Sequence, residues 1–522
     1  MGTLGRGTTE QAIKSKEIQS ESPSIILDGI FFSQSQTGIA RLWHSLLEEW
    51  AESGFYKYIV VLDRNDTAPK ISGIRYHKVL TSKDNGSDYE RQILQYVCDQ
   101  EGADLFISTY YTTPLSTPSV FMAYDMIPEV LGWDLRHTMW QKKHQAIEHA
   151  AAYIAISENT ARDLVKFFPN ISPDSITVAH CGVKNSFKPA NLEEINGFKT
   201  KYGISKPYFI LVGIGGYKNS ILFFQAFAKL FSKQGFEIVC TGSGYGYVLD
   251  DKLRAYTSGI VVHMVQLSDK ELRLAYSGAV ALVYPSNYEG FGLPILEAMA
   301  CGCPVITCPN ASIPEVGGES VLYVNDEDVN GLANALCDVQ KPELRKSLIE
   351  AGLKQAKKFS WSKMARIVSS ALIEATLLRL NLKETNLIIF PDWCQPEELL
   401  ISDLEQMLKA IALHPDHRQI TLLVDTTDIA DEDATLLLSS VALNLFMQED
   451  LNLGEGLEIS PVGKLGVIQW EALLPRIDAR IRLEYENTEA IAQLGAEGIP
   501  SYQLDTFSEI RFIGADIVTN LA

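Results

Sequence analysis

The chain has 522 residues, of which 46% are hydrophobic and 21% charged, and its formal net charge is −20 at pH 7. This length allows two or three domains, and the composition is ordinary for a globular enzyme. The charge pattern shows no basic stripe, which argues against a nucleic-acid-binding protein. No apolar run approaches the roughly 18 residues that a membrane span requires.

Residues 1–23 are polar and small and lack the apolar core of a signal peptide, so we predict a flexible leader there. Eight cysteines scattered over a long chain are typical of reduced thiols in the cytoplasm. Cys301, Cys303 and Cys308 lie close together, but no histidine cluster or second cysteine pair completes a zinc set. We expect a cytoplasmic protein, either free or peripheral to the inner face of the membrane.

Short apolar runs alternate with amphipathic stretches over residues 24–190, in the rhythm of βαβ units. The runs predicted as strands are 24–32, 58–63, 104–109, 119–125 and 153–157. This pattern predicts a first doubly wound α/β domain with a parallel sheet.

A second series follows a polar stretch and predicts another doubly wound domain over residues 205–358. Its predicted strands are 208–213, 236–242, 259–264, 280–286, 304–308 and 321–324. A helical pattern over residues 359–380 closes the series.

The remaining residues, 385–522, predict a smaller acidic α/β domain with 7 Lys and Arg against 24 Asp and Glu. The rest of the chain is nearly neutral, with 38 against 41. The predicted strands are 386–393, 419–425 and 479–485, and the predicted helices are 434–447 and 489–494. The acidic run Asp431–Asp433 suits a helix start better than a metal site. We find no catalytic motif here and expect an interaction or self-association domain.

The sequence NYEGFG, residues 287–292, separates a predicted buried strand from a predicted helix. Parallel sheets bind ligands at this end of their strands, and the N–H groups of a helix start receive phosphate oxygens. Gly290 and Gly292 allow the backbone to approach a ligand closely. Glu289 and Glu297 suit hydroxyl groups of a sugar and a ribose. The alternative is structural, with one glutamate in a turn and one stabilised at a helix start.

The segment EGFGLPILEAMACGCPVI, followed by SIPEVGGESVLYV, resembles the signature of retaining glycosyltransferases of family GT4. The segments 37–41, 124–134, 155–164, 217–227 and 359–365 follow in the order of that family. The resemblance covers residues 24–380. It implies the GT-B fold, in which two Rossmann-like domains face a cleft and the final helix crosses back onto the first domain.

The resemblance also implies roles for individual residues. Glu289, Lys218 and Asp125 would be catalytic: Glu289 contacts the transferred sugar, Lys218 neutralises the diphosphate, and Asp125 meets the acceptor. Asp125 could equally cap the next helix. The residues expected to bind the donor are Gly38, Gly213, Lys218, Asn287, Glu289, Gly290, Phe291, Gly292, Leu293 and Glu297, with Glu297 on the ribose.

The sequence departs from the family pattern at two places. Tyr124 stands where many members have a histidine, and no arginine occurs shortly before Lys218. Arg41, His180 and Lys184 are alternative cations for the diphosphate, although His180 also suits a packing role.

We therefore predict a retaining hexosyltransferase that uses a UDP- or GDP-linked sugar and a saccharide or lipid-linked acceptor, in polysaccharide or glycoconjugate synthesis. We expect no metal or other cofactor. The alternative is a non-catalytic, glycosyltransferase-like subunit that binds a protein partner. Tyr124, the missing arginine and the acidic C-terminal domain favour that alternative.

Overall fold

The structure is a computed structural model. It describes residues 22–34, 37–79, 87–242, 249–449, 451, 456–507, 510–513 and 516–519. Residues 1–21, which hold nearly all of the predicted leader, lie outside the described residues. The chain divides into two compact units: a body, Ser24–Ala375, and a C-terminal unit that begins at Thr376.

The first half of the body contains a parallel sheet of seven strands among the described residues, in the order β3-β2-β1-β4-β5-β6-β7. The strands are β1 (Ile25–Asp28), β2 (Ile59–Arg64), β3 (Arg75–Val79), β4 (Leu105–Ser108), β5 (Ser119–Ala123), β6 (Ala152–Ala155) and β7 (Ile176–Val178). The helices are α1 (Gly38–Ser53), α2 (Ser87–Gln100), α3 (Ile127–Val130), α4 (Thr138–His149) and α5 (Glu158–Phe167).

The central strands of this sheet are buried along their whole length, because helices of a doubly wound fold cover both faces. The edge strands β3 and β7 were not predicted. The side chains of β3 are mostly polar and partly exposed, with the sequence RYHKV, and β7 is only half-buried. A search for continuous apolar runs misses such strands, because one side of an edge strand faces water.

The second half of the body contains a sheet in the order β10-β9-β8-β11-β12-β13, again parallel throughout the described residues. The strands are β8 (Tyr208–Val212), β9 (Glu237–Thr241), β10 (Val262–Met264), β11 (Leu282–Tyr284), β12 (Val305–Thr307) and β13 (Leu322–Tyr323). The helices are α6 (Leu192–Tyr202), α7 (Ser220–Ala228), α8 (Asp251–Arg254), α9 (Asp269–Gly278), α10 (Leu293–Ala300), α11 (Ile313–Gly317), α12 (Val329–Asp338) and α13 (Pro342–Ala356).

The helix α14 (Trp361–Thr376) packs against the first half of the body. Trp50 in α1 donates to the carbonyl of Ala365 at 3.4 Å. A Cβ at Gly182 would lie 2.1 Å from the Trp361 nitrogen, so only glycine fits beneath this helix start. The helix ends at Thr376 rather than at the predicted residue 380, because a separate turn, Leu378–Leu380, buries Leu380 in the core of the C-terminal unit.

The C-terminal unit has a parallel sheet in the order β16-β15-β14-β17-β18, together with an antiparallel pair, as far as its residues are described. The strands are β14 (Thr385–Ile389), β15 (Ile420–Val424), β16 (Glu458–Pro461), β17 (Ala479–Arg482), β18 (Ser501–Gln503), β19 (Ile510–Ile513) and β20 (Asp516–Thr519). The helices are α15 (Glu397–Ala412), α16 (Asp431–Glu449), α17 (Val467–Leu473), α18 (Thr488–Gln493) and α19 (Leu504–Phe507). As predicted, Asp431–Asp433 open a helix. None of the described helices is long and apolar enough to cross a bilayer.

Candidate active site

A cleft of about 1130 Å³ lies within the body and is lined by residues from both of its halves. The first half contributes Gly38, Arg41, Tyr124, Asp125 and Lys184, among others. The second half contributes Lys218, Tyr284, Glu289, Gly290, Phe291, Gly292 and Leu293, among others. The cleft therefore collects most of the residues that the sequence predicts for the donor and the acceptor.

Two helices begin at this cleft. Helix α1 starts at Gly38, and the Thr37 hydroxyl caps it by accepting the N–H of Ala40 at 3.3 Å. Helix α10 starts at Leu293 after Gly292, whose φ of 104° requires glycine. A Cβ at Gly38 would lie 3.6 Å from Cδ1 of Leu293, so the two helix starts are neighbours. Their free N–H groups and dipoles favour an anion between them.

The loop before α10 makes a close contact with the first half of the body. A Cβ at Gly290 would lie 1.8 Å from the carbonyl oxygen of Tyr124, so no other residue fits there. The Thr160 hydroxyl donates to the Gly290 carbonyl at 3.3 Å, and the Tyr288 hydroxyl donates to Asp163 at 2.6 Å. These contacts hold the loop over the end of β5.

Lys218 and Glu289 form an ion pair in the cleft. Nζ of Lys218 lies 2.7 Å from Oε1 of Glu289 and 2.8 Å from the Tyr284 hydroxyl. It also lies over the rings of Tyr217 and Tyr284. Burial opposes the charge of Lys218, but Tyr284, Glu289 and Tyr217 more than offset it and raise its pKa well above the ordinary value. Lys218 is therefore charged at neutral pH.

Gly213 supports Lys218 from beneath. Its φ is 76°, which favours glycine, and a Cβ there would lie 3.4 Å from Cε of Lys218. Gly213 does not line the cleft itself. The structure thus places Gly213 directly beside Lys218, and its contact with the donor stays a prediction.

Glu297 pairs with Arg41 across the two halves of the body. The guanidinium lies 2.5 Å from Oε1 of Glu297 and 3.5 Å from Asp269. The Tyr276 hydroxyl donates to the other oxygen of Glu297 at 3.4 Å. Burial raises the pKa of Glu297, although Arg41 opposes this shift. Glu297, predicted to bind a ribose, thus has both carboxylate oxygens engaged by protein and lies beside the main cleft with Arg41 and Lys184.

Asp125 and Tyr124 occupy the end of β5. Oδ1 of Asp125 accepts the N–H of Ile127 at 3.0 Å, so Asp125 stabilises the start of α3 while it lines the cleft. Burial raises the pKa of Asp125, despite the opposing charge of Lys143. The Tyr124 hydroxyl is buried, where it accepts from Trp43 at 2.5 Å and donates to the Thr109 carbonyl at 2.8 Å. That hydroxyl is therefore engaged in the core.

Asn287 and His180 contact residues of the cleft without lining it themselves. Asn287 is exposed, and its N–H donates to the Tyr217 carbonyl at 2.8 Å. His180 lies 3.1 Å from Glu315 and packs between the rings of Phe291 and Phe359. Of the three alternative cations, the cleft therefore contains Arg41 and Lys184.

The sequence did not indicate Tyr217, Tyr284 or Asp269 as site residues. Tyr284 is the last residue of β11, so its position at a strand end was an available signal. Asp269 begins α9 and reaches both Arg41 and Lys184, the latter at 3.6 Å. The described residues contain no group of three or more His, Cys, Asp and Glu side chains that could hold a metal ion.

The two parallel sheets of the body have the GT-B fold of glycosyltransferases. A family model described as Glycosyltransferase Family 4 matches residues 36–187, and one described as Glycosyl transferases group 1 matches residues 206–341. Together these matches span more than half of the chain. The chain therefore belongs to the GT4-type glycosyltransferases, and the predicted resemblance is confirmed.

Curated relatives carry names of the same kind. The chain is 31% identical over 242 residues to O-antigen chain mannosyltransferase B of Escherichia coli, which covers 45% of this chain and 63% of that protein. It is 27% identical over 402 residues to the serotype-specific mannosyltransferase WbdA of Escherichia coli, which covers 74% of this chain and 43% of that protein. The chain thus spans less than two thirds of either relative.

Solved structures confirm the fold. WaaG, a glycosyltransferase involved in lipopolysaccharide biosynthesis, is 14% identical with a TM-score of 0.55, and the match covers 67% of this chain and 99% of WaaG. Anabaena Alr3699/HepE in complex with UDP and glucose is also 14% identical, with a TM-score of 0.51 and the same coverage. At this identity the likeness shows the GT-B fold alone.

Proposed function

We propose that the chain transfers a hexose from a nucleoside diphosphate sugar to an acceptor hydroxyl, with retention of the anomeric configuration. The observation that carries this proposal is the Lys218–Glu289 pair, which lies in a cleft where two helix starts meet. A cation and two helix N-termini suit a diphosphate, and a carboxylate next to them suits sugar hydroxyls.

The donor would rearrange this pair. When the diphosphate enters, Lys218 exchanges Glu289 for phosphate oxygens, and Glu289 becomes free to accept hydrogen bonds from the sugar. Arg41 and Lys184 line the same cleft and supply further positive charge. These protein cations are the reason why we propose catalysis without a metal. Each of them stabilises the charge that grows on the leaving diphosphate in the transition state.

The proposed reaction is a same-face displacement, as the family resemblance implies. The bond between the anomeric carbon and the diphosphate oxygen breaks, and a bond from that carbon to the acceptor oxygen forms. The acceptor proton passes to the leaving phosphate. The protein then contributes orientation and electrostatic stabilisation instead of a covalent intermediate. Asp125 lines the cleft, and in this proposal it orients the acceptor hydroxyl.

The names of relatives support a proposal for the class of substrate. Two of them are named mannosyltransferases, and a structural neighbour holds UDP and glucose. We therefore propose a UDP- or GDP-linked hexose as donor and a growing saccharide or lipid-linked acceptor, in polysaccharide or glycoconjugate synthesis. All eight cysteines are free thiols, which supports our proposal of a cytoplasmic location.

The test is donor turnover across a panel of UDP- and GDP-hexoses, with water or added saccharides as acceptor. Glu289→Ala should lose about 10²- to 10³-fold in turnover, the scale for removal of one electrostatic contact in a transition state. Glu343→Ala, an exposed change in α13, is the matched control and should leave turnover unchanged.

Equal turnover in the wild type and in a folded Glu289→Ala variant would contradict the assigned site. The absence of any turnover or donor binding would favour the non-catalytic, partner-binding alternative. The buried hydroxyl of Tyr124 favours that alternative, because it is engaged in the core at the position where many family members have a histidine.

A further inference from the structure

Four aromatic rings form a column in the first half of the body. Phe31 stacks on Tyr110 with centroids 4.3 Å apart, Tyr110 stacks on Tyr111 at 3.8 Å, and Tyr111 stacks on Phe121 at 6.1 Å. Tyr111 and Phe121 are buried in the core, whereas Phe31 and Tyr110 are partly exposed. The column therefore anchors a surface ring, Phe31, to the interior through two stacked tyrosines.

Two tryptophans extend this aromatic surface. Trp140 in α4 lies 6.4 Å from Tyr111, and Trp133 lies 5.8 Å from Trp140, centroid to centroid. Trp133 is 41% exposed, which is unusual for so large an apolar side chain. The Tyr110 hydroxyl lies 3.6 Å from the Met139 sulfur. We call Phe31, Tyr110, Trp133 and Trp140 the aromatic rim.

The aromatic rim is joined to the cleft wall through Thr109 and Phe32. The N–H of Phe31 donates to the Thr109 hydroxyl at 3.0 Å, and the Tyr124 hydroxyl donates to the Thr109 carbonyl at 2.8 Å. The loops that follow β1, β4 and β5 are thus joined at one edge of the sheet. Phe32, the neighbour of Phe31, lines the cleft together with Asp125.

We propose that the aromatic rim is the acceptor subsite and that it binds pyranose rings of a saccharide. This inference rests on the proposed function, because it places the acceptor chain next to the wall where Asp125 meets its hydroxyl. The face of an aromatic ring carries partial negative charge, and the C–H groups on one face of a pyranose carry partial positive charge. Phe31 and Trp133 each offer a ring for such stacking.

The surroundings of the rim favour a saccharide over a hydrocarbon chain. Asp134 and Arg136 form an exposed ion pair at 2.8 Å beside Trp133. Tyr110 adds a hydroxyl between the rings. A surface that alternates rings with polar groups matches a sugar, whose apolar faces alternate with hydroxyl edges. Because the Phe31 ring is already stacked, it loses little side-chain freedom when a ligand binds.

The experiment uses the full chain and α-linked mannotriose as the probe acceptor, chosen because relatives are named mannosyltransferases. Phe31→Ala should raise the acceptor KM by about five- to tenfold, the scale of one lost aromatic contact, while the donor KM stays constant. Trp133→Ala should weaken mannotriose binding in calorimetry. Phe31→Trp should restore the acceptor KM. Phe231→Ala removes a fully exposed ring in the second half of the body and serves as control.

The outcomes separate this inference from the proposed function. Suppose that turnover depends on Glu289, but Phe31→Ala leaves the acceptor KM unchanged and Trp133→Ala leaves mannotriose binding unchanged. The aromatic rim would then not be the acceptor subsite, and the proposed function would be unaffected. The proposed subsite would also be wrong if mannotriose-independent donor turnover persists while mannotriose fails to bind the wild type. If the variants lose affinity for anionic phospholipid vesicles and keep mannotriose affinity, the rim is a lipid surface and the inference is wrong.

Discussion

Two sheets of this molecule share a strand order and differ in what their strand ends carry. One is the sheet of the second half of the body, and the other is the parallel sheet of the C-terminal unit. When the strands of each are numbered along the chain, both sheets have the order 3-2-1-4-5, and the sheet of the body has one more strand. After β11, the body has the glycine-rich loop, Glu289 and a helix start. After β15 and β17, the C-terminal unit has Asp425 and Glu486, both carboxylates.

The difference shows that a sheet topology provides an edge for a ligand and leaves the chemistry to the residues there. In the body, Glu289 is matched by Lys218. In the C-terminal unit, Oδ2 of Asp425 is buried without a hydrogen-bond partner among the described residues, and burial raises its pKa to about 6. The role of residues 385–522 in self-association or partner binding stays a prediction.

A large loss of transfer activity, second to that of Glu289→Ala, should follow from blocking the contact between the loop and the first half of the body. In Gly290→Ala the new Cβ would lie 1.8 Å from the Tyr124 carbonyl, so the loop and Glu289 must move. We expect transfer to fall by about 10²-fold, because displacements near 1 Å have that effect on catalysis. The measurements are steady-state transfer and thermal unfolding.

Gly197→Ala provides the matched control. Gly197 lies in exposed α6 with open space at its Cβ position, and this change should stabilise the helix by about 0.5–1 kcal/mol without affecting transfer. Unchanged transfer in Gly290→Ala would show that the loop contact does not position Glu289.

A smaller effect should follow from loss of Arg41. Arg41→Ala should raise the donor KM by about tenfold, since one charge-assisted phosphate contact is lost. It should also lower stability, because Glu297 would be buried without its partner. The double variant Arg41→Ala/Glu297→Gln should recover stability in urea unfolding and keep the weak donor KM. Recovery of the donor KM in the double variant would mean that Arg41 serves only to neutralise Glu297.

The smallest effect on activity should come from the C-terminal unit. Asp425 has its pKa raised from 3.8 to about 6 by burial, so folding binds a proton between these pH values. Ionisation of Asp425 therefore lowers the free energy of unfolding as pH rises from about 4 to 6. Above pH 6 the total decrease is about 3 kcal/mol. Asp425→Asn should therefore stabilise the unit at pH 7, and the gain should vanish at pH 3.5.

Urea unfolding of this variant at several pH values, with exposed Asp433→Asn as control, measures the effect. Transfer should stay unchanged. A gain of the same size at pH 3.5 and pH 7 would contradict the assignment of the shift to Asp425.

The sequence predicted much of the fold, because buried parallel strands are continuous apolar runs and the loop from Glu289 to Leu293 has strong local signals. Among the described strands it missed β3, β7, β16, β18, β19 and β20. The first four lie at the edges of their parallel sheets and have fewer buried positions. Edge strands carry polar side chains, so their pattern resembles a loop.

The partners of the site residues were harder to predict. Arg41 and Glu297 are 256 positions apart, and only the packing of two domains brings them together. Asn287 was predicted as a donor contact from its place in the loop; its side chain is exposed, and that contact stays a prediction. Local sequence specifies that a turn exists, while the tertiary contact at Gly290 decides which side chains face the cleft.

Lys218 and Glu289 should separate when a nucleoside diphosphate binds. The direct measurement is calorimetric titration of the wild type, Lys218→Met and Glu289→Gln with UDP and GDP. We expect Lys218→Met to lower the affinity for the nucleotide by about 10-fold or more. Glu289→Gln should bind the nucleotide as tightly as the wild type or more tightly, because Lys218 is then released from its ion pair. If Lys218→Met and the wild type bind both nucleotides with equal affinity, Lys218 does not contact the diphosphate and the assigned donor site is wrong.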